Sequence, residues 1–437
     1  MRKLFILILI FLSGCVVKPT KVEKEEKERV EQVSRYLEEP KLPILNENSK
    51  LEDFIKYALL NNPKVKASFY EWKSAVEIIS ASRYLPNPNL TLESEISSRV
   101  ESVMPGLMGM FPASGKIVLQ SEAFSLEARK KRYLFEKEVL ETAFKIKEIS
   151  YQFWVLREKI KLVEKIIKIL DELESLNLAK LKVGSVSQAD ILNIQIEKEQ
   201  MKNILIDLED SKRVLLAQFG SILGLSFGSK IPEPPEKLPF TEQGFSEEEI
   251  WEIVRQKNPR LAIMETEIKE SEVFVKLSYK EYSPDFGIGL MKSFFSEMSM
   301  VKPMLTLSIP WRKKVSAMFS SAISNVKMAQ AQYSAEELDL AVMLADALFR
   351  WRQANREFIL YKDNLLPKVK AILELNKASY TNGFSNLVDF LVTERMFLDY
   401  SFNYLSAQAF REIALNEVSI IIAGILPERK IILEEAK

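Results

Sequence analysis

The 437 residues carry 61 lysines and arginines against 61 aspartates and glutamates, no histidine and a single cysteine. The balanced charge, without a basic stripe interleaved with aromatics, argues against a nucleic-acid partner. The lack of histidine removes the commonest general base and metal ligand, and one cysteine forbids an intrachain disulfide, so any catalysis would fall to carboxylates, lysines or hydroxyls.

At the start of the chain Arg2 and Lys3 precede an apolar run from Leu4 to Leu12, followed by Ser13, Gly14 and Cys15. This is the layout of a secretory signal, and its apolar run is too short to span a bilayer. Leu-Ser-Gly-Cys is similar to the site at which bacterial lipoproteins are cut and acylated. Residues 1–14 therefore read as a signal peptide, and Cys15 as the attachment point of a lipid such as palmitate. Val16 stands where an aspartate would favour inner-membrane retention, so the expected location is the outer membrane. Residues 15–50 form a leader in which Lys18 to Glu39 is mostly charge, expected to be extended or marginally helical. Beyond Cys15 no apolar run reaches the roughly 18 to 20 residues that a transmembrane helix needs.

The rest of the chain is one unit written twice, over 51–245 and 246–437. Asn62-Pro63 returns as Asn258-Pro259, Gly184 as Gly383, Asp190 as Asp389 and Gly224 as Gly424, at offsets of 196, 199, 199 and 200. A period this long makes each half a complete structural unit, not one rung of a solenoid. Each half opens with an amphipathic helix, Leu51 to Tyr84 and Ser246 to Tyr282, in which Asn-Pro reads as an N-terminal cap region. Two short alternating segments follow in each. The first half has Leu90, Leu92 and Ile96, then Ile117 and Leu119, joined by a loop from Met104 to Gly115. The second half has Phe286, Ile288 and Leu290, then Leu305, Leu307, Ile309 and Trp311. Alternation of this kind predicts strands with one apolar face.

Long helices come next. No Gly or Pro occurs from Lys116 to Val183 or from Ser185 to Phe219, and only Pro367 interrupts Trp311 to Asn382. A helix of about 60 residues extends roughly 90 Å, so an elongated body is expected. Ile160, Val163, Ile166, Ile167 and Leu170 form a packed seam at three and four spacing. Glycines at Lys182 to Val186 and Asn382 to Phe384 mark tight hairpin tips, and Ser226 to Phe245 and Leu426 to Lys437 read as connectors.

Together the paired Asn-Pro helices, the run Leu85-Pro-Asn-Pro-Asn-Leu90 and the tips Gly184-Ser-Val-Ser-Gln-Ala-Asp190 and Gly383-Phe-Ser-Asn-Leu-Val-Asp389 resemble the TolC-like outer-membrane efflux family over essentially the whole mature chain. The resemblance implies a mostly α fold with a small β part. Duplicated long antiparallel helices would form a trimeric periplasmic α-barrel, continuous with a 12-stranded outer-membrane β-barrel of four strands per chain. Strand counting points independently to an oligomer, because four strands cannot close a barrel and open edges in lipid are costly. Leu90, Leu92, Ile117, Leu119, Ile288, Leu305 and Leu307 would face lipid, and Glu93, Glu95 and Gln120 the lumen. The implied function is a passive exit duct for small toxic substrates or metal ions, not an enzyme, with no cofactor. Its implied partners are two further copies of the chain, a periplasmic adaptor and an inner-membrane pump of the RND type. A duct for type I protein secretion has the same architecture, and a non-pore coiled-coil adaptor or scaffold lipoprotein is a further alternative.

The family pattern also assigns a periplasmic gate. Asp389 holds the position of an aspartate that narrows the entrance, and Tyr380 and Asp190 hold positions that are linked in the family. Two positions depart from the pattern: Val392 replaces a second acidic residue, and Ser385 replaces a latch arginine. Both aspartates equally suit helix caps. Gly184, Val186, Gly383 and Phe384 are candidates for adaptor contact or for simple turn chemistry. Seven of the 14 methionines, Met104, Met108, Met110, Met291, Met298, Met300 and Met304, fall near the strands. With Pro112-Ala-Ser-Gly-Lys116 they resemble the heavy-metal branch of the family, and Met104, Met108 and Met110 are candidate ligands for copper(I) or silver(I). Flexible apolar filling is the alternative.

Overall fold

The computed structural model describes residues 17–46, 48–96, 100–226, 228–240, 247–293, 300–382, 384 and 386–423. Cys15, Met298, Gly383, Ser385 and Gly424 lie outside these residues. The described residues are mostly helical, with one four-stranded antiparallel sheet among them. It divides into two compact units, Met1–Glu39, Lys66–Lys137 and Pro259–Leu338 in the first, and Pro40–Val65, Glu138–Asn258 and Asp339–Lys437 in the second. Each unit thus draws on both sequence repeats.

In the first unit, helix α1 (Lys21–Leu37) is the charged leader. It is a full helix where a marginal one was expected, because its charges are partnered. Thr20 caps it by accepting from Glu23 N, and Glu23 and Glu26 are fully buried. Arg83 reaches Glu23 at 3.2 Å, while Arg132 and the Trp72 indole each reach Glu26 at 3.1 Å. Buried carboxylates persist only with such pairing.

The sheet runs β1 (Asn89–Ile96), β2 (Val100–Phe111), β3 (Asp285–Lys292) and β4 (Val301–Ser308), in that spatial order. Its central pair, β2 and β3, joins the two repeats. The register lines up Leu90, Leu107 and Leu290 on one face, with Ile288 opposite Leu305 and Phe286 opposite Leu307. That face is exposed, whereas Gly287, Gly289 and Met291 on the other face of β3 are buried.

Strand β2 occupies the stretch read above as a loop from Met104 to Gly115. Ile117 and Leu119, expected on the second strand and facing lipid, lie instead in the first turns of helix α4 (Lys116–Lys182), as does Gln120, expected in the lumen. Two alternate apolar residues are too short a pattern to tell strand from helix, and Pro105, Gly106 and Gly109 disguised the true strand. The same shift ends β4 at Ser308, before Ile309 and Trp311. Gly115, at φ 89°, makes the turn into α4. Lys116 then ties strand to helix, its ammonium 2.9 Å from Asp285 and 3.0 Å from Glu281.

The predicted opening helices are each broken in two at Asn-Pro. Helix α2 (Leu51–Asn61) gives way to α3 (Pro63–Ser82), and α6 (Glu247–Lys257) to α7 (Pro259–Lys280). Asn62 is extended, and proline provides a first helical residue that needs no N–H partner. The Asn62 side chain accepts from Lys64 N at 2.7 Å and donates to Ile222 O at 2.8 Å. Asn258 repeats the donation, to Ile421 O at 2.7 Å. The recipients end helices α5 (Gln188–Ile222) and α10 (Leu387–Ile421), so each Asn-Pro motif closes the long hairpin of its own repeat. Gly224, at φ 71°, follows α5 where a Cβ would stand 2.7 Å from Asn61 O. Phe54, Ile146, Phe219 and Leu223 form the apolar core behind this junction.

Helix α4 is 67 residues long. Its counterpart consists of α8 (Arg312–Ile359), a π-helical turn (Leu360–Leu365) and α9 (Leu366–Thr381). The π turn lies just before Pro367, which has no N–H to give the ladder and whose ring crowds the carbonyl four residues back. No helix among the described residues is long and apolar enough to cross a membrane.

Asn258→Ala should lower unfolding stability by about 1 to 3 kcal/mol, since it strands a buried carbonyl, and Asn62→Ala by about 1 kcal/mol, since the Ile222 carbonyl is only partly buried. Thermal melts of the two variants check this. An unchanged midpoint in both would remove the asparagines from the closure of the hairpins.

Candidate functional site

Within the second unit, the α4–α5 and α9–α10 hairpins pack through Val163, Ile166 and Leu170 of α4, Ile194 of α5, Tyr380 of α9 and Phe390 of α10. Each tip carries a backbone bond reaching five residues back. At the first, Gly184 adopts φ 70° and Ser185 N donates to Lys180 O at 3.0 Å, which closes the end of α4. At the second, Phe384 N donates to Ser379 O at 2.8 Å. Phe384 is almost fully exposed, Val186 half-buried, and a Cβ on Gly184 would meet nothing within 4 Å.

Both predicted gate aspartates sit in the first turn of a helix. Asp190 and Ser187 form a reciprocal capping box: Ser187 N donates to the carboxylate at 2.9 Å, and Asp190 N to the Ser187 hydroxyl at 3.2 Å. Asp389 N donates to Asn386 Oδ1 at 2.8 Å, while the Asp389 side chain is exposed. Tyr380 is buried and does not bond to Asp190. Its hydroxyl donates to Asn177 Oδ1, and the fully buried Asn177 donates in turn to Leu173 O at 2.8 Å. The Lys180 ammonium lies 5.1 Å above the Tyr380 ring. Burial pushes the phenol pKa up, the Asn177 bond opposes this, and the charge of Asp190 adds to the rise. Asn177 escaped notice in the sequence because one asparagine in a helical run reads as solvated.

Residues 252–424 match the family model described as outer membrane efflux protein. This part of the chain is thus similar in sequence to the outer membrane efflux proteins. Its fold is similar to that of a membrane protein from Pseudomonas aeruginosa, with TM-score 0.75 and 16% identity over 96% of this chain and 100% of that one. The CmeC outer membrane channel of Campylobacter jejuni gives TM-score 0.74 and 13% identity over 88% of each chain. The open state of the MtrE outer membrane channel of Neisseria gonorrhoeae gives 0.73 and 16% over 86% of this chain and 89% of that one. At such identities the likeness is one of fold. No curated protein matches the sequence. The family is one of passive channels and not of enzymes.

A second tie lies farther along the same hairpins. Arg395 of α10 pairs with Glu197 of α5 and bonds Gln200 at 2.8 Å. Glu197 and the neighbouring Glu394 are both buried. Desolvation, then the charge of Glu197, pushes the Glu394 carboxyl up to about 8, with Lys377 opposing. Beside this pair an open groove of about 860 Å³ runs between α5 and α10, with Leu192, Ile196 and Arg395 among its walls. The sequence drew attention to the lost arginine at Ser385, not to an arginine ten residues on.

The candidate methionines are on the sheet. Met104, Met108 and Met110 fall at alternate positions of β2, on the face opposite the exposed apolar one. Among the described residues no group of His, Cys, Asp or Glu could hold a metal ion.

Glu394 sets a pH dependence with a definite sign. Its folded pKa of about 8 lies above its ordinary value of 4.5, so the folded state holds the proton more tightly. The contribution to stability is full below about pH 4.5 and declines as pH rises, being lost through about 8. Melts between about pH 5 and pH 8.5 should show this decline, and Glu394→Gln should flatten it. An equal slope in both proteins would mean that Glu394 is charged in the folded state.

Proposed function

We propose that the chain is one of three identical subunits of an outer-membrane exit duct in a tripartite efflux system. Cys15 would carry its lipid anchor, and a periplasmic adaptor and an inner-membrane pump of the RND type would recruit it. The observation that carries this reading is the sheet, whose four strands among the described residues leave β1 and β4 as its two outer edges. Its apolar face exposes Leu90 at 80%, Leu92 at 71% and Leu305 at 79%. Apolar surface of this kind calls for lipid or a partner. In lipid each unpaired backbone group costs several kcal/mol, so β1 of one chain must meet β4 of the next. Three chains supply twelve strands. A non-pore adaptor would instead carry compact barrel or lipoyl-like segments between its helical arms.

At the periplasmic end the hairpin tips close the duct at rest and open on docking. Asp389 of each chain rings the entrance, where three like charges favour cations. Tyr380 and Asn177 hold the two hairpins of a chain together, with Asp190 close by. Exposed Phe384, with Gly184, Val186 and Gly383, offers the adaptor a surface. The pump supplies the energy, and small toxic compounds or metal ions pass through.

In planar bilayers the purified protein should conduct ions in steps. Tyr380→Phe leaves the buried Asn177 oxygen without its donor, at about 1 to 3 kcal/mol, enough to raise open probability about five-fold or more. Traces indistinguishable from wild type would sink the gate. Cells given labelled palmitate should label the wild type and not Cys15→Ala, and label retained by the variant would exclude the anchor.

A further inference from the structure

The exposed apolar face of the sheet does not stop where β4 does. Leu305, Leu307, Ile309 and Trp311 fall at alternate positions and all are exposed, Trp311 at 82%. Arg312, Lys313 and Lys314 follow at once in the first turn of α8, and all three are exposed as well. None of them has an acidic partner among the described residues, and the first turn of α8 holds no acid. Three cations at the positive end of a helix oppose its dipole and one another, so the helix itself gains nothing from them. The acids at this end of the sheet are already taken: Asp285, opposite Ser308 in the register, and Glu281 both hold the buried Lys116. Tyr279 and Tyr282, at the end of α7, are exposed, and the Tyr279 ring lies 6.1 Å from that of Phe319 of α8. The leader meets the same end of the sheet. Val17, two residues past the predicted acylation point, accepts from the Arg83 guanidinium at 2.9 Å, between α3 and β1.

We propose that this junction, Trp311 with Arg312, Lys313 and Lys314, seats the headgroup of an anionic phospholipid at the rim of the membrane. An apolar stripe that ends in an aromatic and passes into three cations within one helical turn follows the order of a bilayer boundary, tails first and then phosphates. Tryptophan and tyrosine settle at that level because their rings are apolar and their N–H or O–H is not. Lysine and arginine lay their stems along apolar surface there and hold their charge among anionic headgroups. Water alone would suit the cations and leave Ile309 and Trp311 exposed without a reason. Lipid tails alone would suit Trp311 and not the three charges. The inference rests on the sheet lying in a membrane, which conductance in planar bilayers judges separately.

The test is tryptophan quenching in phosphatidylcholine vesicles that hold the reconstituted full chain and a fixed share of brominated phosphatidylglycerol or brominated phosphatidylcholine. Trp311→Phe gives the signal of the other tryptophans, so the difference reports Trp311. Brominated phosphatidylglycerol should quench that difference as though enriched about three-fold or more over its bulk share, and about 0.5 M salt should remove most of the enrichment. R312Q/K313Q/K314Q should bring the two lipids level, while K165Q/K168Q/K182Q on α4, with the same loss of charge, should keep the preference. Equal quenching by the two lipids in the wild type overturns the site, as does a preference that the junction variant retains. Quenching by neither lipid also overturns it, and leaves the duct standing if the protein still conducts. Should the junction variant fail to fold, Lys314→Gln and the wild-type comparison decide.

Discussion

Every backbone N–H and C=O needs a partner, and most of what is distinctive here follows from where the chain provides one and where it does not. Long helices satisfy themselves except at their ends, so the burden falls on the few residues that finish them. Asn62 and Asn258 take up the last carbonyls of α5 and α10 across about 160 residues, and Ser187 and Asn386 start the return helices at the tips. The sheet is the exception. Among the described residues its inner strands are paired on both sides and its outer two on one side only, so the sheet leaves backbone groups at its edges for solvent or a partner.

The duplicated plan, the helices and the tips were legible because they rest on long patterns and on glycines at fixed offsets. The Asn-Pro motif was visible, but not its reach: it looked like a local cap and also serves a distant helix end. Strand β2 was hidden for a physical reason. Its inward positions carry methionine and glycine, its outward ones include Pro105 and Gly109, and no alternation of aliphatic with polar residues survives. The leader differs in the opposite sense: a charged run expected to be extended or marginally helical is a full helix, with Glu23 and Glu26 buried against arginines.

The tips divide in the same way. The positions of Asp190, Asp389 and Tyr380 could be read, but their partners could not, because partnership depends on which faces of four helices meet. Asn177 takes the tyrosine hydroxyl, and Asp190 is occupied with Ser187. Where the family pattern places an arginine at Ser385, this chain ties the hairpins through Arg395, ten residues on and beside the buried Glu394 carboxyl, whose pKa burial raises.

The π turn at Leu360–Leu365 has a consequence for that arrangement. A π turn acts as one residue inserted into a helix, and one residue turns everything downstream by about 100°. The descending helix of the second repeat is therefore cut into two lengths with different phases, and α9 shows its neighbours a face that an unbroken helix would turn aside. Val369 and Tyr380 are the buried residues of that face. The aim of the tyrosine is thus set some fifteen residues upstream, by a proline and one slipped turn.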